Sequence, residues 1–493
     1  MNIQFGRLLF LTLLLTGLLS APGAAAAART GSDAESAGPD AYVSRTLTFK
    51  NGEVSLAGSL VLPPGEGPFP AVVMLHGSAP DTRAIFWQTG DAEVFLEAGV
   101  AVFIYDKRGV GQSGGDWRRA TIENLAGDAV AAVKLVGQQP EINPRQVGIF
   151  GVSQGGRLTP VAAARSGDIA FLINVTGAAV SFSQQELWSM GNGLAQLGFS
   201  ERAIATGMKV MGLLFSARPL IQSGLLPLGD LYVWFDALDP FQQPADAWRQ
   251  VEQPAFIAYG GQDATVPTRE SLAVLQPILT RHGHPLSRLV VYPQAGHGAR
   301  LGSGQWAPGH IETMTAWLEE TLQGQAITKA PVESTMQDAG PRRWYGQAAV
   351  ATPWYGEAAV QLPLILGFLL LAVTALLVGL WPRTSLTSDR PARLALFSSG
   401  LINVALLVSV LNVFAYLAFA DANKADPAIP LATILPVLAW ISLGLTIGLS
   451  FFSWRAGQHG LWSTKLRVAY AAVAAGAILF VLFLAYWNVF LPL

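Results

Sequence analysis

Hydrophobic and polar residues form two different patterns along the first two thirds of the chain, and both patterns predict regular secondary structure. Between about residues 40 and 324, short apolar runs are separated by stretches in which apolar residues recur at helical spacing. The helical stretches predict helices at residues 85–97, 121–136, 154–165, 268–281 and 310–322. The apolar runs predict strands at residues 45–49, 54–62, 71–75, 100–105, 146–150, 171–175, 255–259 and 289–292. Two strands followed by alternating strands and helices indicate an α/β domain with a mostly parallel, eight-stranded sheet.

One long insertion interrupts this alternation at residues 178–253. Two strands that a single helix could connect are separated there by a stretch far longer than usual, apolar and helical in character. Ligands of such sheets bind at the carboxyl ends of the strands, so we expect a helical cap over the pocket. A packed subdomain with no part in binding is the alternative.

The last part of the chain has the pattern of a membrane domain, residues 362–493, joined by a linker at residues 325–361. Stretches of this length without a charged side chain are typical of membrane-spanning helices. Four such stretches are found, at residues 362–381, 394–420, 431–453 and 468–490. They predict a four-helix transmembrane domain.

The charges of the connecting loops predict how this domain is oriented. The loop between spans two and three has only Lys424, beside Asp421 and Asp426. The other two loops contain the basic residues Arg383, Arg390, Arg393, Arg455, Lys465 and Arg467. Basic loops face the cytoplasm, so residues before the first span and the C-terminus are expected outside.

The N-terminus supports export. Arg7 precedes an apolar run at residues 8–19, and an alanine tract at residues 24–28 offers cleavage sites. The run is short for the roughly 30 Å hydrocarbon core, so residues 1–28 are predicted to be a secretory signal. An uncleaved signal anchor is the alternative. The expected location is the cytoplasmic membrane, multi-pass, with the soluble domain on the periplasmic or extracellular side.

Composition then excludes several classes of protein. Hydrophobic residues make up 51% and charged residues 13%, and the net charge is −2, so no basic excess exists for a nucleic-acid backbone. The chain has no cysteine, which excludes disulfides, thiolate nucleophiles and zinc–thiolate sites. No cofactor and no metal site is predicted.

A G-x-S-x-G sequence at residues 151–155 is the strongest chemical signal, because a predicted strand ends before it and a predicted helix starts after it. Such a turn projects the Ser153 hydroxyl above the sheet. A second match, at residues 111–115, contains Ser113 but has no helix after the serine. It overlaps a G-x-G-x-x-G at residues 109–114, which likewise fails to open a helix and does not indicate a dinucleotide site.

A nucleophilic serine needs a base and a group that orients the base. His297 follows the strand at residues 289–292, and Asp263 follows the strand at residues 255–259. Both are therefore expected at the carboxyl edge of the sheet, with chain order serine, aspartate, histidine. Weaker candidates are His310, Asp236 and Asp239. His282 and His284 precede a strand and are expected at the opposite edge of the sheet, and His459 lies in a predicted cytoplasmic loop that cannot reach the exported domain.

Five motifs in order make residues 45–322 resemble an α/β-hydrolase, near the serine-aminopeptidase-like and dienelactone-hydrolase-like branches. They lie at residues 74–78 (MLHGS), 105–113 (YDKRGVGQS), 151–156 (GVSQGG), 260–263 (GGQD) and 296–298 (GHG). The resemblance implies Ser153 as nucleophile, His297 as base and Asp263 as its orienting acid. It also implies an oxyanion hole made by the backbone N–H groups of Ser78 and Gln154, with His76 structural.

The expected function is hydrolysis of a carboxylic ester or thioester through an acyl-enzyme on Ser153. A peptidase or amidase and an acyltransferase could use the same three residues. A ligand-binding domain of a membrane sensor or transporter is the non-catalytic alternative, although spans without charged residues argue against an ion pathway. The expected partners are a small acyl substrate and the lipid bilayer, while a homo-oligomer or a membrane partner stays open.

Overall fold

The computed structural model describes residues 42–225, 242–281, 287–324, 354–380, 389–419, 432–460 and 462–492. The predicted signal, residues 1–28, lies outside the described residues, as does most of the predicted linker. The described residues fall into two units. The sheet unit draws on Gly31–Ser189 and Ile221–Gln347, and the helical unit on Met190–Leu220 and Ala348–Leu493.

The sheet unit is built on one eight-stranded sheet, as the apolar runs predict. The order across the sheet is β1-β2-β4-β3-β5-β6-β7-β8. Strand β2 pairs antiparallel with β1 and with β4, and every later pair is parallel. The strands are β1 (Val43–Asn51), β2 (Val54–Leu62), β3 (Phe69–Leu75), β4 (Ala101–Tyr105), β5 (Ile142–Val152), β6 (Leu172–Val175), β7 (Ala255–Gly260) and β8 (Arg288–Tyr292).

Helices cover both faces of this sheet. They are α1 (Ile85–Gln88), α2 (Asp91–Glu97), α3 (Ile122–Gly137), α4 (Gln154–Ala163), α9 (Thr268–Arg281) and α10 (His310–Leu322); the four helices of the insertion come between α4 and α9 in the chain. The prediction of a single helix at residues 85–97 is wrong in one detail, because the chain forms two helices there, α1 and α2. Gly90 has a φ of 75°, a left-handed conformation that interrupts a right-handed helix, and the Thr89 hydroxyl bonds the Asp91 carboxylate at 2.6 Å.

The core is divided by the sheet into two layers, because successive side chains of a strand point to opposite faces. Val73 and Ile149 are fully buried in the layer that includes α3 and α4. Their neighbours Val72 and Phe150 are buried in the layer that includes α2 and α10. Central strands buried on both faces are expected to be apolar without interruption, and such apolar runs predict these strands from the sequence.

The insertion contains four described helices, α5 (Phe182–Gln196), α6 (Glu201–Ser216), α7 (Arg218–Gln222) and α8 (Pro244–Trp248). Within the helical unit, α6 bonds to residues near the end of the chain. Lys209 Nζ donates to the carbonyl of Tyr486 at 2.6 Å, and Arg202 donates to the carbonyl of Pro492 at 2.8 Å. The Ser216 hydroxyl accepts from the N–H of Ala358 at 2.9 Å.

The C-terminal helices are α11 (Ala358–Leu380), α12 (Arg390–Phe419), α13 (Ile434–His459) and α14 (Thr464–Tyr486). Leu366, Leu370 and Leu377 on α11 are 56–60% exposed, an apolar surface that water would disfavour and lipid would accept. In the interior, the Ser442 hydroxyl donates to the side-chain carbonyl of Asn403 at 2.6 Å and links α13 to α12. Near the end of α13, Arg455 pairs with Asp389 at 2.6 Å.

Five helical segments of the described chain are long and apolar enough to cross a membrane, one more than predicted. The additional segment is Glu201–Gln222, which comprises α6 and α7. Strands β6 and β7 flank the insertion and pair in the same sheet. A chain that leaves and rejoins one sheet crosses a membrane an even number of times. Glu201–Gln222 therefore cannot form a single additional span.

Candidate active site

Ser153 lies in a sharp turn between β5 and α4. Its φ is 58° and its ψ −116°, a conformation that residues with a Cβ atom rarely adopt and that stores backbone strain. The N–H of Ser153 donates to the carbonyl of Val175 at 2.9 Å, which fixes the turn to the end of β6. Ser153, in the G-x-S-x-G sequence at residues 151–155, thus lies at the carboxyl edge of the sheet, between a strand and a helix as predicted.

The glycines of this turn are required by close backbone contacts. A Cβ atom on Gly151 would overlap the backbone of Gly155. A Cβ atom on Gly155 would overlap the carbonyl of Leu75, the last residue of β3. The absence of side chains at both positions therefore lets the start of α4 approach the end of β3, where the loop with Ser78 begins.

Asp263 and His297 form a hydrogen-bonded pair at the same edge. Nδ1 of His297 lies 3.0 Å from Oδ2 of Asp263. The other carboxylate oxygen, Oδ1, accepts from the N–H groups of Thr265 and Val266, each at 2.8 Å. The Asp263 side chain is fully buried, whereas the His297 side chain is 34% exposed. A proton on Nδ1 satisfies the aspartate and leaves the lone pair of Nε2 available as a base.

The electrostatic surroundings of His297 act in opposite directions. Burial of the ring acts to lower the pKa of His297, because the charged imidazolium loses solvent. The negative charge of Asp263 and its hydrogen bond act to raise it, and together they prevail. The pKa of His297 is therefore above its ordinary value of 6.5.

The loop of His297 packs against the neighbours of Ser153. The N–H of Gly298 donates to the hydroxyl of Thr176 at 3.2 Å, directly after β6. A Cβ atom on Gly298 would lie 3.8 Å from a methyl group of Val152, the residue before Ser153. The three predicted catalytic residues therefore follow β5, β7 and β8 at one edge of the sheet, and their roles stay predictions.

The predicted oxyanion donors lie on the two segments that the glycines bring together. Ser78 is in the loop after β3, and Gln154 is the first residue of α4. The Gln154 side chain is buried, and its Oε1 accepts from Lys107 Nζ at 2.8 Å. An N–H group at the start of a helix points outward without a partner in that helix and favours negative charge.

His76 is buried under this loop and cannot serve as a base. Its ring packs against Phe86 and Tyr105, with ring centroids 4.9 and 5.4 Å away. Burial, with a smaller contribution from Lys107, lowers the pKa of His76 to about 3. The expected structural role of His76 agrees with these surroundings.

Ser113 has a structural environment instead of a catalytic one. Its hydroxyl accepts from the N–H of Ala57 at 3.0 Å and donates to the carbonyl of Asp106 at 2.7 Å. The side chain is buried and joins the loop after β4 to β2. Two hydrogen bonds inside the protein hold this hydroxyl in place, which agrees with the rejection of Ser113 as nucleophile.

Of the other candidates, His310 and His459 lie among the described residues. His310 is buried against Tyr292 and Trp306, and burial lowers its pKa to about 4. His459 is exposed at the end of α13. His282, His284, Asp236 and Asp239 lie outside the described residues. No group of three or more potential metal ligands occurs in the part of the chain that the structure describes.

Sequence reasoning missed three side chains next to the site. Lys107 is buried after β4; burial lowers its pKa to about 7, although the Asp81 carboxylate acts to raise it. Arg157 of α4 donates to Gln185 of α5 at 2.7 Å, and burial lowers its pKa to about 10. Trp188 of α5 donates to the carbonyl of Asp263 at 3.3 Å. Of these three residues, only Lys107 lies in one of the sequence motifs, at residues 105–113, and that motif assigns it no role.

The strand order, the strained serine turn and the aspartate–histidine pair together define the class. The sheet unit is an α/β-hydrolase, a hydrolytic enzyme of that fold. The family model for the C-terminal domain of BAAT and acyl-CoA thioester hydrolases matches residues 130–302. This match includes Ser153, Asp263 and His297, and it spans less than half of the chain.

Curated relatives and solved structures are similar to a little over half of this chain. Thiohydrolase aneE of Aspergillus aculeatus is 26% identical over 310 residues, which cover 56% of this chain and 93% of the relative. Esterase EstD of Thermotoga maritima is 24% identical and matches 56% of this chain and 66% of its own length. The dienelactone hydrolase structure from Anabaena variabilis is 19% identical, with a TM-score of 0.36 over 58% of this chain and 100% of its own.

Proposed function

We propose that the sheet unit hydrolyses a carboxylic ester or thioester through an acyl-enzyme on Ser153. The observation that carries the proposal is the bond of 3.0 Å between buried Asp263 and partly exposed His297, at the edge where strained Ser153 ends β5. The family description and the names of the two curated relatives favour esters and thioesters over peptides.

In the proposed reaction, Nε2 of His297 takes the proton of the Ser153 hydroxyl as its oxygen attacks the substrate carbonyl carbon. The carbonyl oxygen becomes an oxyanion and accepts from the N–H groups of Ser78 and Gln154. His297 then gives the proton to the leaving alcohol or thiol as the C–O or C–S bond breaks. Water, deprotonated by His297, attacks the acyl-enzyme and releases the carboxylic acid and free Ser153.

Asp263 has two tasks in this scheme. It holds the proton of His297 on Nδ1, and it stabilises the imidazolium that forms during each proton transfer. Both carboxylate oxygens are bonded, one to His297 and one to the Thr265 and Val266 N–H groups, so the carboxylate cannot rotate away. Such preorganisation reduces the rearrangement needed in the transition state.

We further propose that the beginning of the insertion caps the acyl pocket. Trp188 of α5 bonds the backbone of Asp263, and Phe182 of α5 lies against the guanidinium of Arg157, 6.0 Å from its ring centre. These contacts bring the first half of α5 beside the helix that follows Ser153. An element in this position would select substrates by acyl length.

We also propose that α11 to α14 anchor an exported hydrolase in the cytoplasmic membrane, with the sheet unit outside. The support is the apolar length of these helices and the concentration of basic residues in two of their loops. The bundle would keep the enzyme at the surface where acylated amphiphiles are concentrated.

The test is a hydrolysis screen of the full-length protein in lipid nanodiscs. Nitrophenyl esters and acyl thioesters of increasing chain length would be compared with amino-acid amides. Because the chain has no cysteine, thiols released from thioesters can be titrated without a protein background. We expect turnover of esters or thioesters that Ser153→Ala removes. Cleavage of the amides alone, or turnover that survives Ser153→Ala, would refute the proposal.

A further inference from the structure

Lys107 has a buried amine that takes part in no step of the proposed mechanism. It follows β4 in the motif of residues 105–113, and only 4% of its surface is exposed. Nζ donates three hydrogen bonds, to the carbonyl of Gly77 at 2.7 Å, the carbonyl of Ala79 at 3.2 Å and Oε1 of Gln154 at 2.8 Å. An ammonium group has three N–H donors, so each one has an acceptor.

The acceptors of Lys107 belong to both halves of the proposed oxyanion hole. The carbonyl of Gly77 and the N–H of Ser78 are parts of one planar peptide unit and point in opposite directions. A bond from Lys107 to that carbonyl therefore fixes the direction of the Ser78 N–H. A charged donor on the carbonyl also polarises the peptide and makes its N–H a stronger donor. The bond to Gln154 holds the residue that supplies the second N–H.

The surroundings leave these three acceptors as the principal partners of the amine. The negative charge of Asp81 acts to raise the pKa of Lys107, but none of the described ion pairs joins the two residues. Of the neighbouring acids, Asp106 pairs with Arg83 at 2.9 Å. His76 stays neutral because its pKa is low. Burying an amine without a carboxylate partner is unfavourable, so the three hydrogen bonds must offset the loss of water around the charge.

We propose that Lys107 is a positioning residue of the oxyanion hole, whose ammonium group aligns the Gly77–Ser78 peptide and Gln154 so that both N–H groups point at the substrate oxygen. The inference rests on the proposed hydrolysis and deepens it. The oxyanion develops only in the transition state, so misalignment of its donors should lower kcat and leave KM nearly unchanged.

The test compares Lys107→Met with Ser113→Ala in the full-length protein, each at the pH of maximal wild-type activity. Ser113→Ala is the matched control, because it removes two buried hydrogen bonds of the same loop without touching Gly77 or Gln154. For Lys107→Met we expect kcat to fall about 10- to 100-fold, less than the 10²–10³-fold for a deleted oxyanion donor, with KM within about twofold. A trifluoromethyl ketone that forms an oxyanion on Ser153 should bind more weakly by a similar factor.

Ser113→Ala should keep wild-type kcat and ketone affinity, and Lys107→Arg, which retains charged donors, should be faster than Lys107→Met. If Lys107→Met does not fold, Gln154→Met, which removes one acceptor, should still lower kcat and not KM. Unchanged kcat and ketone affinity in the folded variant, or an equal loss in Ser113→Ala, would overturn the positioning role alone. A wild-type protein that neither turns over an ester or thioester nor binds the ketone would instead refute the proposed function.

Discussion

Nδ1 of His297 lies 3.0 Å from Oδ2 of Asp263, across 34 positions of the sequence and two neighbouring strands of the sheet. The carboxylate is completely buried, whereas the imidazole reaches the surface. A buried acid can fix the orientation of an exposed base without meeting the substrate itself. This asymmetry suits a base that must release and recover a proton in every cycle, and it leads to the first two predictions.

The change Asp263→Asn should reduce kcat/KM by about 10³–10⁴-fold while the protein still folds, because the amide shape is retained but favours the wrong tautomer of His297. The measurement is turnover of an ester substrate, with thermal unfolding as the check on folding. Asp246→Asn is the control, since Asp246 is an exposed aspartate that pairs only on the surface with Arg249. Activity of Asp263→Asn within tenfold of wild type would exclude Asp263 as the orienting acid.

The pH dependence of kcat/KM should show an acidic limb whose midpoint lies above 6.5, because only neutral His297 can accept the serine proton and its pKa is raised. Activity should be lost as the pH falls through that midpoint. In Asp263→Asn the residual activity should have its midpoint at lower pH, since the charge that raises the pKa is gone while burial still lowers it. An unmoved midpoint would show that another group titrates.

Fluorophosphonate labelling should distinguish the two serines of the G-x-S-x-G sequences. Ser153→Ala should abolish labelling, because the reagent needs an activated hydroxyl beside an oxyanion hole. Ser113→Ala should stay labelled but lower the free energy of unfolding by about 1–3 kcal/mol, because the buried N–H of Ala57 loses its acceptor. Labelling that is lost in Ser113→Ala and kept in Ser153→Ala would identify Ser113 as the nucleophile.

The strands and the serine turn could be predicted because short-range patterns determine them. Residues 100–105 and 255–259 are apolar without interruption, since interior strands of a sheet covered by helices are buried on both faces. The break between α1 and α2 was missed because Thr89 and Gly90 can occur inside a helix, and only the contacts of the folded chain select the left-handed turn.

The arrangement around the serine could be predicted only in part. Ser153, Asp263 and His297 each follow a strand, so topology alone assigns them to one edge of the sheet. The role proposed for Lys107 depends on acceptors 28, 30 and 47 positions away, and no local pattern reports such contacts. The helix α6 was expected in a cap, but its hydrogen bonds to Tyr486 and Pro492 could not be read from the sequence.

The change Gly155→Ala should inactivate and destabilise the enzyme, because the new methyl group would overlap the carbonyl of Leu75. Overpacking of this kind costs about 1–3 kcal/mol, and separation of α4 from β3 should move the oxyanion donors apart. Gly167→Ala is the matched control, since nothing lies within 4 Å of its added Cβ atom. Thermal unfolding and kcat are the measurements. Wild-type values for Gly155→Ala would mean that this close approach is not needed.

The absence of cysteine allows a direct test of membrane orientation. In the proposed orientation, the insertion and the C-terminal end of α14 share one side of the membrane, and Lys209 and Arg202 bond to the carbonyls of Tyr486 and Pro492. Arg455 near the end of α13 and Arg467 near the start of α14 flank the connection between these helices, whose positive charge predicts the cytoplasm.

A single cysteine at the exposed Ser303 in the sheet unit should therefore react with a membrane-impermeant maleimide in intact cells. A cysteine at the exposed Gln458 near the end of α13 should react only after the cells are opened, and the cysteine-free wild type gives the background. Both variants should keep ester hydrolysis, because neither position touches the site. Labelling of Gln458→Cys but not of Ser303→Cys in intact cells would invert the topology and make the enzyme cytoplasmic. Labelling of both would rule out the four-span arrangement, because it requires the two positions to lie on opposite sides of the membrane.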